Sequence, residues 1–468
     1  MIFTELRFFL FFAVVLGVYW ALRGDRSRKA LLLLASYGFY AGWKWEFLSL
    51  IVTSTVVDYI AGARLHRSTS PAARKAWLAV SLGVNLTILG FFKYFGWFVE
   101  SGVAFLGWLG IGASAPVLEV ILPVGISFYT FQTLSYTLDI YKRELAPTKS
   151  FLDFALFVAF FPQLVAGPIV RAVDFLPQLT TTKRPNDVRW RAFLMLFLWG
   201  YVKKACFSDN VSPAVEQVFS DPLAHDVGGN LIAAILFHLQ IYCDFSGYSD
   251  MAIACAGMLG FRLPENFAFP YLATNMVQFW RRWHVSLSTW FRDYVYIPLG
   301  GSRVATKGRY VANVFITFTL SGVWHGAQWT FVLWGVLHSL GLIAVWAWGK
   351  GMGGTGIARA LARVAWIPTT VFVVFTWIVF RADDLGSLGE MWGVLLGLEA
   401  AGQASLAGNW WWLIGTFYLV HFAMRRRLLE RALERLGDPA FALVLGILFA
   451  LAVPFASAGF QPFIYFQF

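Results

Sequence analysis

The chain has 468 residues, of which 58% are hydrophobic, 18% aromatic and only 13% charged, about half the charged share of an ordinary globular protein. That balance excludes a typical soluble domain and implies a polytopic, all-α membrane protein, with room for roughly eleven helical spans plus re-entrant helices at about 20 apolar residues per crossing. The net charge of +11 need not mean nucleic acid, because the basic residues cluster in short loops between apolar runs, as cytoplasmic loops do.

Long, continuous apolar runs argue against a β-barrel, whose strands alternate. The 22 Trp and 17 Tyr suit a protein with extensive surface at headgroup level. Cys206, Cys243 and Cys255 show no CxxC spacing and read as thiols, not as a disulfide frame or metal site.

In chain order, Phe8 to Ala21 reads as a retained first span, since no small-residue cleavage site precedes Arg23, Arg26, Arg28 and Lys29. Ala30 to Ile60 holds two short passages broken at GWKWE, and Trp77 to Phe95 crosses again. Trp97 to Ile111 is apolar but glycine-rich and is left unassigned. Residues 121–144 return the chain to Lys142 and Arg143.

Phe151 to Val170 contains Pro162, Gly167 and Pro168, so a kinked or re-entrant piece shielded by protein is expected. After a basic loop, spans are expected at Phe193 to Phe207, Leu231 to Cys243 and Met251 to Phe261. Further spans follow at Tyr310 to Trp324, Trp329 to Trp348, Val364 to Phe380, Trp412 to Met424 and Phe441 to Ala456. The reading is one integral-membrane domain over residues 1–468, with its motif core at 240–340.

That core opens with NMVQFWRRWHVSLSTWFRDYVYIPLGGSR, residues 275–303. Read as one helix, it puts Trp280, His284, Leu287 and Phe291 on one stripe and Arg282, Ser286, Thr289 and Asp293 on another. Pro298, Gly300 and Gly301 should end it. NVFITFTLSGVWHGAQW, residues 313–329, is almost wholly apolar yet carries His325, with Ser321 and Gln328 expected on the same face.

An ionisable side chain at membrane depth costs a few kcal/mol and tends to face a cavity or a partner. His325 is therefore either a general base, whose imidazole takes a hydroxyl proton while the oxygen attacks an acyl carbonyl, or a residue that ties helices together. His284 lies beside Arg281 and Arg282, which suit an anionic donor such as a pyrophosphate; it reads as structural or positioning. His238 and His338 read as polar glue, and His66, His225 and His421 as loop or span-edge residues. A metal held by His284, His325 and His338 lacks supporting spacing, so no metal site is assigned. No GxxxxGK[ST] loop and no G-x-S-x-G elbow occurs. Acyl transfer would rest on a histidine base, a preactivated thioester and positioning.

The segments QFWRRWHVSLSTWFRDYVYIPLGG and LSGVWHGAQWTFVLWG closely resemble the membrane-bound O-acyltransferase family, in the bacterial branch that acetylates exopolysaccharides such as alginate. ILPVGISFYTFQTLSYTLDIY, YCDFSGYSDMAIACAGMLGF and PENFAFPY resemble the same branch, so the likeness covers most of the chain. It implies a helical bundle with a central tunnel, His325 as the catalytic histidine of WHG and His284 at the second catalytic position. It also implies Gln278, Trp280, Arg281, Arg282, Trp283, Ser321, Trp324 and Gln328 as donor-binding or tunnel residues. The expected donor is acetyl-CoA or another acyl thioester, with no bound cofactor. The expected setting is a bacterial inner membrane, with membrane lipids, a periplasmic acetyltransferase partner and a polysaccharide acceptor.

The C-terminal QPFIYFQF resembles acyl-relay tails in the related D-alanylation system, which implies Tyr465 as a relay; the alternative is an aromatic interfacial anchor. Two rival functions remain at this level. One is D-alanyl transfer to teichoic acid, and the other is a proton-coupled transporter, for which no inverted repeat is visible.

Overall fold

A computed structural model describes residues 2–114, 120–165, 167–351, 364–425, 428–456 and 463–464. Among these residues the elements are helical, apart from an isolated bridge between His225 and Ala404. Among the described residues, five helices are long and apolar enough to cross a membrane: Trp45–Arg67, Pro71–Trp108, Val227–Met258, Trp329–Gly349 and Asp438–Phe455. Leu6–Ala21, Trp366–Arg381 and Leu385–Leu396 are shorter apolar helices. The chain divides into two compact units, residues 1–193 with 252–264, and residues 194–251 with 265–468.

The first unit begins with α1 (Leu6–Ala21), α2 (Asp25–Ala41), α3 (Leu48–Arg67), α4 (Pro71–Leu89) and α5 (Phe95–Trp108). The expected break at GWKWE separates α2 from α3, and the unassigned glycine-rich run is the helix α5. Next come α6 (Ile126–Lys142), α7 (Phe151–Ala159), α8 (Phe161–Leu164) and α9 (Ala172–Leu179).

The expected interruption in Phe151 to Val170 falls at Phe160, and protein groups satisfy the exposed backbone there. Ser36 Oγ accepts from the Phe161 N–H at 3.0 Å, and Gln163 Nε2 donates to the Phe157 carbonyl at 2.6 Å. This is the arrangement that lipid alone does not permit.

Where α3, α4 and α6 pack together, α3 carries the fully buried Asp58. Its carboxylate accepts from Ser81 Oγ and from Asn85 Nδ2, the latter at 2.8 Å. Ser54, Thr133 and Thr137 complete a polar knot that ties three apolar helices in one register. Gly62 lets α3 reach α6, since an added Cβ would lie 2.7 Å from the Tyr136 ring.

The sequence is corrected at α12. The two spans expected at Leu231 to Cys243 and Met251 to Phe261 form one helix, Val227–Met258. The DFSGYS interruption does not break it, because Gly247 serves helix approach and not a turn. An added Cβ at Gly247 would lie 2.7 Å from the Gly200 carbonyl, and one at Gly200 would lie 2.6 Å from that of Gly247. Gly200 belongs to α10 (Trp190–Tyr201), which runs through a π-helical turn, Val202–Ser208, into α11 (Asp209–Phe219).

Charges at this contact are paired, as burial demands. Lys203 meets Asp250 at 2.6 Å, and Lys204 lies between Asp209 at 2.7 Å and Asp244 at 2.5 Å. The rest of the second unit carries the candidate site on α13 (Met276–Trp280), α14 (Val285–Phe291), α15 (Lys307–His325) and α16 (Trp329–Gly351).

Candidate active site

The expected single helix from Asn275 is in fact broken. Asn275 caps α13 by accepting from the Gln278 N–H at 2.9 Å, but α13 ends at Trp280 and α14 starts only at Val285. At the junction His284 sits in the left-handed region, with φ 41° and ψ 55°. A non-glycine residue held there is strained by about 1–3 kcal/mol, and such strain clusters at functional sites. The stripe of Trp280, His284, Leu287 and Phe291 therefore does not exist as one helical face.

What holds His284 is Asn266, which lies in PENFAFPY but was not singled out from the sequence. The backbone carbonyl of Asn266 accepts from the Val285 N–H at 3.0 Å. Its side-chain Oδ1 accepts from the Ser286 N–H at 3.2 Å and from Ser286 Oγ at 2.8 Å, and it lies 3.1 Å from His284 Nδ1. A backbone N–H can only donate, so this atom of Asn266 is the carbonyl oxygen; its Nδ2 donates to Ser249 Oγ at 3.3 Å. His284 Nδ1 must then carry a proton, which leaves the lone pair of the neutral ring on Nε2. The signal that could have found Asn266 is an asparagine in a short loop, where its amide can hold neighbouring backbone.

His325 is the last residue of α15 and is 3% exposed. Aromatic rings stand edge-on to it, among them Trp334 at 4.9 Å, Trp324 at 5.0 Å and Phe380 at 5.3 Å between centroids. Trp324 also lies 6.1 Å from the His284 ring, so one indole borders both histidines. The expected shared face of Ser321, His325 and Gln328 holds only for the first two, because α15 stops at His325 and Gln328 precedes α16. The glycine of WHG is required by space. Gly326 is extended at φ −161°, and any Cβ there would overlap the Phe331 ring.

α15 and α16 pack as a close hairpin through Gly322 and Gly335, whose Cβ positions would collide with the carbonyls of Phe331 and Phe318. Small residues at such a contact are how apolar helices approach in lipid. Gly300, at φ 112°, and Gly301, at φ 58°, turn the chain after the π-helical Arg292–Tyr296, as expected. Asn313 Nδ2 donates to the Gly301 carbonyl at 3.1 Å and fixes that turn to α15.

Between these elements lies a cavity of about 670 Å³ bordered by Trp280, Arg281, Arg292, Tyr310 and Ser321, among others, a size typical of small-molecule sites. Arg292 is engaged by Asp293 through two bonds of 2.6 and 3.1 Å, whereas Arg281 makes no ion pair among the described residues. Ser321 stands one turn before His325. Trp280 lies 5.7 Å from Trp334, the indole against His325.

Of the expected donor residues, the structure thus brings Trp280, Arg281 and Ser321 to the cavity. It does not bring Gln278, Arg282, Trp283, Trp324 or Gln328 to its lining. Arg282 donates instead to the Leu272 carbonyl at 3.0 Å. Trp283 is fully buried against Phe279 and Trp377.

The other histidines separate clearly. His238 stacks on Tyr271 and bonds Tyr418 Oη at 3.2 Å, in keeping with a role as glue. His338 is caged by Trp280, Trp334 and Phe372, and neither ring nitrogen has a hydrogen-bond partner among the described residues. Among the same residues no group of three His, Cys, Asp or Glu side chains could hold a metal ion.

Tyr465 lies outside the described residues. Just before it, the Ile464 N–H donates to Asp244 Oδ2 at 2.7 Å. Phe463 is fully buried, 5.5 Å from Phe245, whose ring stands 4.7 Å from that of His284.

Known proteins align with this site and with most of the chain. The model of MBOAT, the membrane-bound O-acyltransferase family, matches residues 126–382. A probable alginate O-acetylase, AlgI, of Pseudomonas putida is 36% identical over 98% of this chain and 98% of its own. A peptidoglycan O-acetyltransferase of Helicobacter pylori is 35% identical over 81% and 76%. A teichoic acid D-alanyltransferase of Bacillus subtilis is more distant, at 29% over 48% and 59%. With a family model covering more than half of its length and such relatives over nearly all of it, the chain belongs to the membrane-bound O-acyltransferase family and is a multi-pass membrane enzyme.

Proposed function

We propose that the enzyme transfers an acetyl group from acetyl-CoA, taken on the cytoplasmic side of a bacterial inner membrane, for O-acetylation of an exopolysaccharide such as alginate, through a periplasmic acetyltransferase partner. The observation that carries this reading is the cavity of the second unit, which is lined by Arg281, unpaired by any carboxylate among the described residues, and by Ser321, one helical turn from His325. The names of the relatives support acetyl as the group and an envelope glycan as its destination. The family model runs through residues of both units, which supports reading residues 1–468 as one catalytic membrane domain.

In this mechanism a nitrogen of His325 accepts the proton of the acceptor hydroxyl as its oxygen attacks the thioester carbonyl. The new C–O bond forms, the C–S bond breaks, and the proton passes to the departing thiolate. Aromatic walls exclude water, which protects the thioester from hydrolysis. Arg281 favours the anionic part of the donor. His284, held with its Nδ1 proton on Asn266, offers Nε2 as the second functional nitrogen.

Coenzyme A is too large and charged to cross, so only the acetyl group travels. Tyr465 is proposed as its relay, supported by the anchoring of Phe463 and Ile464 beside Phe245. The test uses purified protein in nanodiscs with radiolabelled acetyl-CoA. Wild type releases or transfers label and His325→Ala does not; unchanged turnover in folded His325→Ala removes His325 as the base. Label from D-alanyl thioester instead of acetyl-CoA would favour D-alanyl transfer.

A further inference from the structure

The first unit contains a cavity of about 480 Å³ that shares no lining residue with the one described above. It forms where α9, the loop at residues 180–189 and the chain just after α12 meet. Its border includes four cations, Lys183, Arg184, Arg189 and Arg262, against one carboxylate, Asp187, with the Phe261 ring as apolar wall.

The loop is fixed in several places. Thr182 Oγ1 donates to Asp25 Oδ2 at 2.7 Å, and the Lys183 carbonyl accepts from Arg28 Nη1 at 2.8 Å. The Gln178 amide braces Arg262 both ways, accepting from its N–H at 2.8 Å and donating to its carbonyl at 3.0 Å. Gly260, at φ 85°, makes the turn, and the Lys183 stem lies over it. The Lys183 ammonium donates to Thr181 Oγ1 at 2.7 Å and lies 5.2 Å from the Phe261 ring centre.

Basic loops beside a membrane are usually solvated faces whose charges splay into water. Here the charges border a concavity on a braced loop. None of the four cations makes an ion pair among the described residues. Burial and the like charge of Arg262 lower the Lys183 pKa, with Asp25 opposing, and Asp187 is the one carboxylate on the border.

We propose that this cavity binds a phosphate group, carried either by the headgroup of an anionic lipid or by a soluble phosphate compound. Clustered Lys and Arg recognise phosphate oxygens by charge-assisted bonds, and basic pockets on membrane proteins take anionic headgroups. The proposal does not depend on the acyl-transfer reading.

The test uses full-length protein in phosphatidylcholine nanodiscs with two probes, spin-labelled phosphatidylglycerol and aqueous pyrophosphate. Wild type should retain one of them, and Lys183→Gln with Arg262→Gln should weaken that retention about tenfold or more. Arg67→Gln, an exposed cation elsewhere, and Arg281→Gln, in the acyl-transfer cavity, should leave it unchanged. Asp187→Asn should tighten binding severalfold, which tests the site without removing a brace.

Retention of phosphatidylglycerol identifies a lipid source and retention of pyrophosphate a soluble one. Binding of neither probe overturns the proposal. Equal loss in Arg67→Gln would reduce the effect to general surface charge, and equal loss in Arg281→Gln would move the site to the acyl-transfer cavity; either result also overturns it.

Discussion

Removing the Asn266 side chain as Asn266→Ala withdraws one oxygen that serves the Ser286 N–H, Ser286 Oγ and His284 Nδ1. Ser286 Oγ lies 3.4 Å from His284 Nδ1 and can re-pair with it, so the loss falls chiefly on the buried Ser286 N–H, which gives up its bond to Asn266 Oδ1. An unsatisfied buried donor costs about 1–3 kcal/mol. The same loss loosens the ring orientation and the Nδ1 proton that keep the lone pair on Nε2. If that orientation is needed in the transition state, kcat should fall about tenfold to a hundredfold, since about 1.4 kcal/mol corresponds to a factor of ten.

Ser249→Ala, which removes only the partner of the Asn266 amide nitrogen, should change kcat by less than about threefold, in line with a single net hydrogen bond of about 0.5–1.5 kcal/mol or below. Donor turnover would be measured in nanodiscs on protein that elutes as a single species. Wild-type kcat in folded Asn266→Ala, or equal losses in both variants, would refute the role given to Asn266.

Gly322→Ala should lower the melting temperature and activity together, because its methyl would collide with the Phe331 carbonyl in the α15–α16 contact; overpacking of this kind costs about 1–3 kcal/mol. A variant as stable and active as wild type would show that the hairpin opens freely. Asp244→Leu removes one of the carboxylates paired with Lys204 and the acceptor of the Ile464 N–H, and loss of one partner of a buried pair destabilises by about 3–5 kcal/mol. Asp244→Asn, which keeps an acceptor oxygen, should lose clearly less in a detergent thermal-stability assay, and equal losses would count against the anchoring of residues 463–464.

Asp384 caps the helix Leu385–Leu396 by accepting from the Ser387 N–H at 2.8 Å, and Asp384→Ala should cost about 1 kcal/mol. Hydrogen bonds from Ser387 lower the Asp384 pKa below the ordinary aspartate value. The stabilisation is therefore present above that ordinary value and lost as pH falls through the depressed one. The gap between wild type and Asp384→Ala should close only in strong acid; a gap that closes near neutral pH would refute the cap.

Much of the architecture follows from composition and local chemistry. Apolar runs identify membrane helices because lipid leaves backbone groups no other partner, and WHG with its aromatic neighbours marks His325. The breaks at GWKWE and in Phe151 to Val170 were legible because charge interrupts the first apolar run and clustered proline and glycine the second. Proline alone does not end a helix here, since Pro177 and Pro213 lie inside α9 and α11. Periodicity failed where contacts distant in sequence decide. Two spans are expected at Leu231 to Cys243 and Met251 to Phe261, but they form one long helix in which Gly247 packs closely against Gly200. The helix drawn through His284 is broken because Asn266, 18 residues away, holds that residue in a left-handed conformation no local rule anticipates. Only the tertiary structure sends Arg281 to the cavity and Arg282 to the Leu272 carbonyl. Adjacent side chains at the end of a short helix point in different directions, and the direction depends on where the helix stops.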